Sequence, residues 1–396
     1  MTKNLRLQKL NDHKVVYFFS LAIFLLVIYF YYISIYHKVA GVDMLQRIVE
    51  TKYFLTRINP FDVMTGSAPV NPTFGIPAAY AYVSYIFAIP LSLISDKAAI
   101  VFIFAAFDIF CLYAGLFLYR KLNELNHSII DSIVLSVALI AIVRLDHIVY
   151  LNYGIISTFG LILTIYGTRY KNLLLIIAGV VLTSLKPSLL LPLALALCFS
   201  KNIKLLFIIV IINLVALIIV SVAVQTPALT LLEQLQQTQY YFSDRGFYRW
   251  EGLFLFARDL IGKRTTIVGL CATIMLLFYY RKKIVGDPIA LIILVLTASL
   301  CFFYNQEHAW AMAYPILASA FFMLSRHKLV IFPLIFLVLF MVLPSMYIYF
   351  ESLGFTYYMP LHNLIRFSLL IVASLWLVKV RLRAPEPIDA NKSATN

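Results

Sequence analysis

Ala178-Gly179-Val180-Val181-Leu182-Thr183-Ser184-Leu185-Lys186-Pro187-Ser188-Leu189-Leu190-Leu191-Pro192 stands inside an apolar run from 173 to 199, and the reading of this run decides the architecture. At about 1.5 Å per residue the run is longer than a hydrocarbon core of roughly 30 Å requires. It also places a proline, which removes an intrahelical hydrogen bond, beside a lysine, which is expensive at mid-bilayer. A straight span is a poor reading. The pattern predicts two short helices that meet near the outer face, at headgroup level, with Lys186 at the break.

Further apolar runs cover 15–36, 98–119, 129–143, 153–168, 204–224, 265–280, 287–304, 310–325, 329–346 and 363–379. The run 77–94 carries Tyr80, Tyr82, Tyr85 and Ile89-Pro90-Leu91, and reads as interfacial or entering only partway. With 173–199 broken at Lys186 the chain is expected to be an all-α polytopic membrane protein of about 12 transmembrane helices, with interfacial or re-entrant helices and both termini cytoplasmic. Arg120-Lys121, Arg169 with Lys171, Lys201 with Lys204, Arg281-Lys282-Lys283, Arg326 with Lys328, and the tail 380–396 then all lie inside. The positive-inside rule is met at each of these short basic segments.

Composition supports a membrane class. Hydrophobic residues make up 62% of the 396 and charged ones 13%, where a soluble domain carries about a quarter charged. The net charge of +14 is dispersed between apolar runs, which argues against a nucleic-acid partner. Residues 1–396 read as one membrane-embedded catalytic unit. Lys3, Arg6, Lys9 and Lys14 precede an apolar stretch from Val15 to Tyr36, expected to be an uncleaved anchor. Cys111, Cys198, Cys271 and Cys301 sit in or at the edge of apolar runs and read as free packing residues, without a disulfide framework or metal spacing.

The remaining polar segments fall outside. Residues 37–97 form a first outer loop with interfacial helices, and 225–264 a second long one; Arg144-Leu145-Asp146-His147, Asn305-Gln306-Glu307-His308 and Tyr349-Phe350-Glu351 are shorter. Such a gathering of titratable groups on one face suits a site for a polar substrate.

Gly41-Val42-Asp43-Met44-Leu45-Gln46-Arg47 follows the first helix; Arg57-Ile58-Asn59-Pro60-Phe61-Asp62 and Pro69-Val70-Asn71-Pro72 come next. Later stand Lys186-Pro187, and Asn305-Gln306-Glu307-His308-Ala309-Trp310 before Pro315. In this order, from the first helix to about residue 325, the chain resembles the superfamily C integral-membrane glycosyltransferases, and within them the family 87 polyprenol-phosphate-mannose-dependent mannosyltransferases. The resemblance implies inverting transfer of a hexose, of the mannose type, from a polyprenyl-phosphate sugar to a glycolipid or cell-envelope glycan on the outer face of a bacterial plasma membrane. Its partners would be that donor, a lipid-linked or envelope glycan acceptor, and membrane lipids.

It makes Asp43 the catalytic base and gives His308 a part in orienting the acceptor or assisting the base. Lys186, Arg47, Arg245 and Arg249 would bind the donor phosphate, and Tyr80, Asn152 and Glu307 would contact sugar or acceptor. No cofactor and no metal ligand is assigned. The chain has no Asp-x-Asp pair, and dependence on a divalent cation stays open.

Plainer readings stand beside these. Asp43 could be a solvated partner of Arg47 four residues on, Lys186 could snorkel to headgroups, and Arg245 and Arg249 could form a charged face with Asp244 and Glu251. Asp108, inside an apolar run, is expected to hydrogen-bond a neighbouring helix. An O-antigen-type polymerase or ligase consuming lipid-diphosphate glycans is the alternative enzyme. A lipid or solute transporter is the alternative of another class, although no repeated halves are seen.

Overall fold

A computed structural model describes residues 42–65, 82–123, 152–244, 250–251, 265–302, 305–306, 312–316, 319 and 358–381. These are helical apart from one antiparallel pairing of two residues on each side. The order is α1 (Val42–Leu55), α2 (Pro60–Thr65), α3 (Val83–Ser92), α4 (Lys97–Asn123), α5 (Gly154–Arg169), α6 (Leu173–Thr183), α7 (Pro187–Phe199), α8 (Ile203–Ala223), α9 (Ala228–Asp244), β1 (Trp250–Glu251), α10 (Thr265–Tyr279), α11 (Arg281–Gly286), α12 (Pro288–Phe302), β2 (Asn305–Gln306) and α13 (Tyr358–Arg381). Among the described residues, α4 and α8 are long and apolar enough to cross a membrane. The first anchor at 15–36 and the runs at 129–143 and 329–346 lie outside the described residues.

Helix α12 is the centre. Every residue from Ile289 to Cys301 is buried, so it has no polar face to turn to solvent. It packs against α4, α5, α7, α10, α11 and α13. Gly269 lets α10 approach so closely that a Cβ there would overlap the Phe302 carbonyl oxygen. Thr297 Oγ1 donates to Ile293 O and meets Ser374 Oγ of α13, both at 2.7 Å, so its hydroxyl is used within the helix and across the contact.

The expected break in 173–199 is present. Pro187 opens α7 at its first position, where its missing N–H is no loss, and Lys186 before it is extended. α5 and α6 form a close antiparallel hairpin along a stripe of small residues. A Cβ on Gly160 would stand 2.5 Å from Thr183 N and 2.7 Å from Gly179 O; one on Gly179 would stand 2.5 Å from Thr164 N. Backbones can approach this closely only without side chains between them.

The depth of the break differs from the expectation. Asn213 lies ten residues into the 21-residue α8, about 15 Å from its start, and its amide donates to Ser184 Oγ at 3.0 Å. The break thus stands beside the middle of α8 rather than its end. With 11 and 13 residues, α6 and α7 extend only about 16 and 20 Å, so they form a short helical pair. The chain still returns to the side from which it entered.

At that shared end the turns are alike. Lys171 and Lys201 adopt the left-handed conformation, with φ of 54° and 57°, as the following N–H groups reach back to Gly167 O and Leu197 O. Asn172 and Asn202 then cap α6 and α8 by accepting from Leu175 N and Leu205 N. Arg169 Nη1 donates to Leu122 O at 3.1 Å, joining the ends of α4 and α5, and the Phe199 and Phe278 rings join the ends of α7 and α10 at 5.9 Å. The basic clusters 120–121, 169–171, 201–204 and 281–283 therefore share one end of the bundle.

The hairpin predicts a contrast between glycines. Gly160→Val should force backbone apart and cost about 1–3 kcal/mol, lowering the thermal unfolding midpoint in detergent. Gly286→Ala, with open space around it, should leave the midpoint unchanged.

Candidate functional site

The end opposite the basic clusters gathers the polar segments. α1 packs on α3, and the tight turn after α1 carries Asn59. Asn59 Oδ1 accepts from Phe61 N at 3.0 Å, so the side chain shapes the Asn59-Pro60-Phe61-Asp62 turn. Asn59 Nδ2 donates to Gln234 Oε1 at 3.0 Å, and Gln234 Nε2 donates to Asp62 Oδ1 at 3.1 Å. Tyr82 donates its hydroxyl proton to Leu231 O at 2.5 Å. These bonds fasten the first polar loop to α9, the start of the second. The β1–β2 pairing, Trp250 opposite Gln306 and Glu251 opposite Asn305, fastens the second to the late segment. Three segments that the sequence leaves far apart are thus tied together.

Beneath them lies the break. Lys186 is 7% exposed, at the N-cap of α7, so its ammonium is held inside rather than snorkelling outward. A Cβ on Gly154, at the start of α5, would stand 3.8 Å from Lys186 Nζ and 3.2 Å from Met312 Cγ. Asn152 is buried, and its Oδ1 accepts from Gly154 N at 2.7 Å, closing the first turn of α5 beside the lysine. Ser157 shares a helix face with Gly154, Gly160 and Thr164, the face that meets α6 and the break. Its hydroxyl is fully buried and has no hydrogen-bond partner among the described residues. A cation stands here at the positive end of the α7 dipole, with the Ser157 hydroxyl one turn along α5 from Gly154; cation and dipole are the elements that receive an oxyanion.

A second buried cluster lies between α1 and α3. Arg47 Nη1 is 2.5 Å from Glu50 Oε2, with both residues 5% exposed or less. Gln46 Nε2 donates to Glu50 Oε1 at 3.0 Å, and Thr51 Oγ1 donates to Arg47 O at 2.7 Å. Burial first, and the adjacent Glu50 charge second, push the Tyr85 phenol well above its ordinary value, so it stays protonated against the carboxylate. Arg47 pairs with Glu50 one turn on, so the guanidinium and the carboxylate share one buried face of α1.

Asp43 is the second residue of α1. Tyr80, Arg245, Arg249, Glu307 and His308 lie outside the described residues. Asp108 is 2% exposed on the face of α4 shared with Cys111 and Gly115, against Tyr314, whose ring rests on Gly115. Tyr119 on the same face bonds Ser319, so the 312–319 segment is held against α4. Cys111, Cys198, Cys271 and Cys301 are all free thiols, as expected. Among the described residues no group of three His, Cys, Asp or Glu could hold a metal ion.

Sequence reading missed Glu50, Ser157 and Asn213. Glu50 could have been found three residues after Arg47 on one amphipathic face, and Asn213 as the lone amide in an apolar run. Comparison with protein-family models, curated proteins and solved structures gives no match.

The α1–α3 cluster predicts a specific pattern of stability. Arg47→Met alone should cost about 3–5 kcal/mol by leaving Glu50 buried and unpaired, while the double change Arg47→Met with Glu50→Leu should recover most of it. Unfolding midpoints of the two single variants and the double variant check this.

Proposed function

We propose that the chain is a multi-pass glycosyltransferase of the bacterial plasma membrane, moving a hexose of the mannose type from a polyprenyl phosphate to a glycolipid or envelope glycan on the outer face. The observation that carries this reading is the buried Lys186 at the N-terminus of α7, next to Gly154 at the start of α5 and beneath the tied polar segments. A buried cation at the positive end of a helix dipole suits an anionic group, and a lipid-linked phosphate is such a group.

The membrane setting is supported by α8, which leaves Ile203, Phe207, Val210, Leu214 and Val222 between 51% and 72% exposed. Such a surface suits lipid rather than water. The shared basic end fits the cytoplasmic side, which puts α9 and the α1–α3 layer outside.

In the proposed reaction the donor phosphate lies against Lys186, Ser157 and the α7 N-terminus, with its lipid chain between helices. Asp43 at the start of α1 takes the proton from the acceptor hydroxyl as that oxygen attacks the anomeric carbon. The bond from that carbon to the phosphate oxygen breaks, and polyprenyl phosphate leaves with both electrons. Attack opposite the leaving group inverts the anomeric centre. Arg47 and Glu50 fix the helix that carries Asp43 against α3. His308, Arg245, Arg249, Tyr80 and Glu307 would add acceptor and phosphate contacts from the outer segments, and Asn152 would face the sugar beside Lys186.

Purified protein in nanodiscs, given radiolabelled polyprenyl-phosphate mannose and a lipid extract as acceptor, should form a labelled glycolipid. Asp43→Asn should lower kcat by about 10²–10⁴-fold, and Lys186→Met should weaken donor use at least tenfold with the fold intact. Unchanged turnover in Asp43→Asn would contradict the assignment of the base.

A further inference from the structure

The end of the bundle away from Lys186 carries a second gathering of charge, and its geometry is specific. Phe199, the last residue of α7, meets Phe278 of α10 edge-on at 5.9 Å. Arg281 lays its guanidinium carbon 4.0 Å from the centre of the same Phe278 ring, and its Nη1 donates to Phe278 O at 3.1 Å. This stack brings the Phe199 end of α7, from which the chain turns through Ser200-Lys201-Asn202 into α8 and Lys204, to the end of α10 that leads into Arg281 and Lys282. Lys201 is pinned in the left-handed conformation, so its position is fixed by the backbone.

All four cations are exposed. None of the four forms an ion pair with a carboxylate among the described residues; Arg47 with Glu50, at the other end, is such a pair. Asp287, the acid nearest in sequence, caps α12, its Oδ1 accepting from Ile289 N at 2.9 Å. Lys204 sits in the first turn of α8, where the helix dipole is already positive and adds to the cations. Directly beside this charge the surface turns apolar: Ile203 is 70%, Phe207 63% and Tyr279 78% exposed.

An acidic protein or a nucleic acid would match the charge and leave those apolar side chains in water. An amphiphile matches both, with a negative head on the cations and chains along the helices. We infer that Lys201, Lys204, Arg281 and Lys282 form a binding site for the headgroup of an anionic glycerophospholipid, with its acyl chains lying along Ile203, Phe207 and Tyr279. The inference rests on the membrane reading of the chain and is independent of its glycosyl transfer.

Full-length protein in a neutral detergent would be titrated with short-chain phosphatidylglycerol and, separately, with phosphatidylcholine of the same acyl length, and native mass spectrometry would count the lipids retained. The expected result is a preference of at least about tenfold for the glycerol lipid, weakened by salt, since each cation near a headgroup contributes roughly fivefold. The variant with all four residues changed to Gln should fall to within about twofold, while Lys52→Gln on α1 should keep the full preference. Equal affinity for the two lipids, or a preference that survives in the fourfold variant, would overturn the inference. An alkaline wash of membranes separates the two claims. A chain that stays in the membrane yet lacks the preference sinks this site alone, whereas a chain released by the wash removes the membrane reading and the site together.

Discussion

A lysine cannot be set beside the middle of an apolar helix unless the structure around it supplies polar company. Lys186 is 7% exposed at the level where Asn213, halfway along α8, bonds Ser184. Much of the fold follows from accommodating it. Pro187 stops α6 from continuing, Asn213 ties the break to its neighbour, and Gly154 at the start of α5 lies against the ammonium and leaves room for Asn152 and Met312 beside it. The small residues Gly160, Thr164 and Gly179 let α5 and α6 lie close enough to enclose the site. Each of these residues taken singly would be a weakness in an apolar layer. Together they make a polar break inside one.

The layer above is built for a different purpose. Asn59, Gln234 and Asp62 join the first polar loop to α9, and Trp250–Glu251 pairs with Asn305–Gln306. These links tie the layer that carries α1, with Asp43 in its first turn, to the late segment, whose Met312 meets Gly154 beside Lys186. The Arg47–Glu50 pair with Gln46 and Tyr85 gives α1 one orientation on α3, since a half-satisfied buried network is costlier than an apolar contact. In the proposed reaction this rigidity sets the distance between base and leaving group, which contributes as much to catalysis as the identity of either.

The helical class and the break at Lys186-Pro187 were legible in the sequence because they depend on local chemistry: proline ends helices, asparagine caps them, and apolar runs of a given length imply a given setting. The grouping of Arg120, Arg169, Lys201 and Arg281 at one end was legible too, since charge alternation along the chain carries it. The depth of the break was not, because it is set by the lengths of α6 and α7 and by a contact between Asn213 and Ser184, which are 29 positions apart. The pairing of Arg47 with Glu50 was not legible for a related reason. Two acidic residues, Asp43 and Glu50, flank it at helical spacing, and the packing of α3 decides how that face of α1 is used. Ser157 gave no local signal at all. Its importance comes only from the helix face it shares with Gly154 and Gly160.

The central claim is that the polar break is where a lipid-linked sugar phosphate docks. A polyprenyl-phosphate hexose carrying a photoactivatable group next to the phosphate, crosslinked to the purified protein and mapped by peptide mass spectrometry, tests it most directly. The account predicts adducts within 152–158, 184–188 and 312–316, suppressed by unlabelled polyprenyl-phosphate mannose and not by the corresponding phosphate-free alcohol. Adducts confined to the exposed face of α8 or to the basic end, or equal suppression by the alcohol, would contradict it.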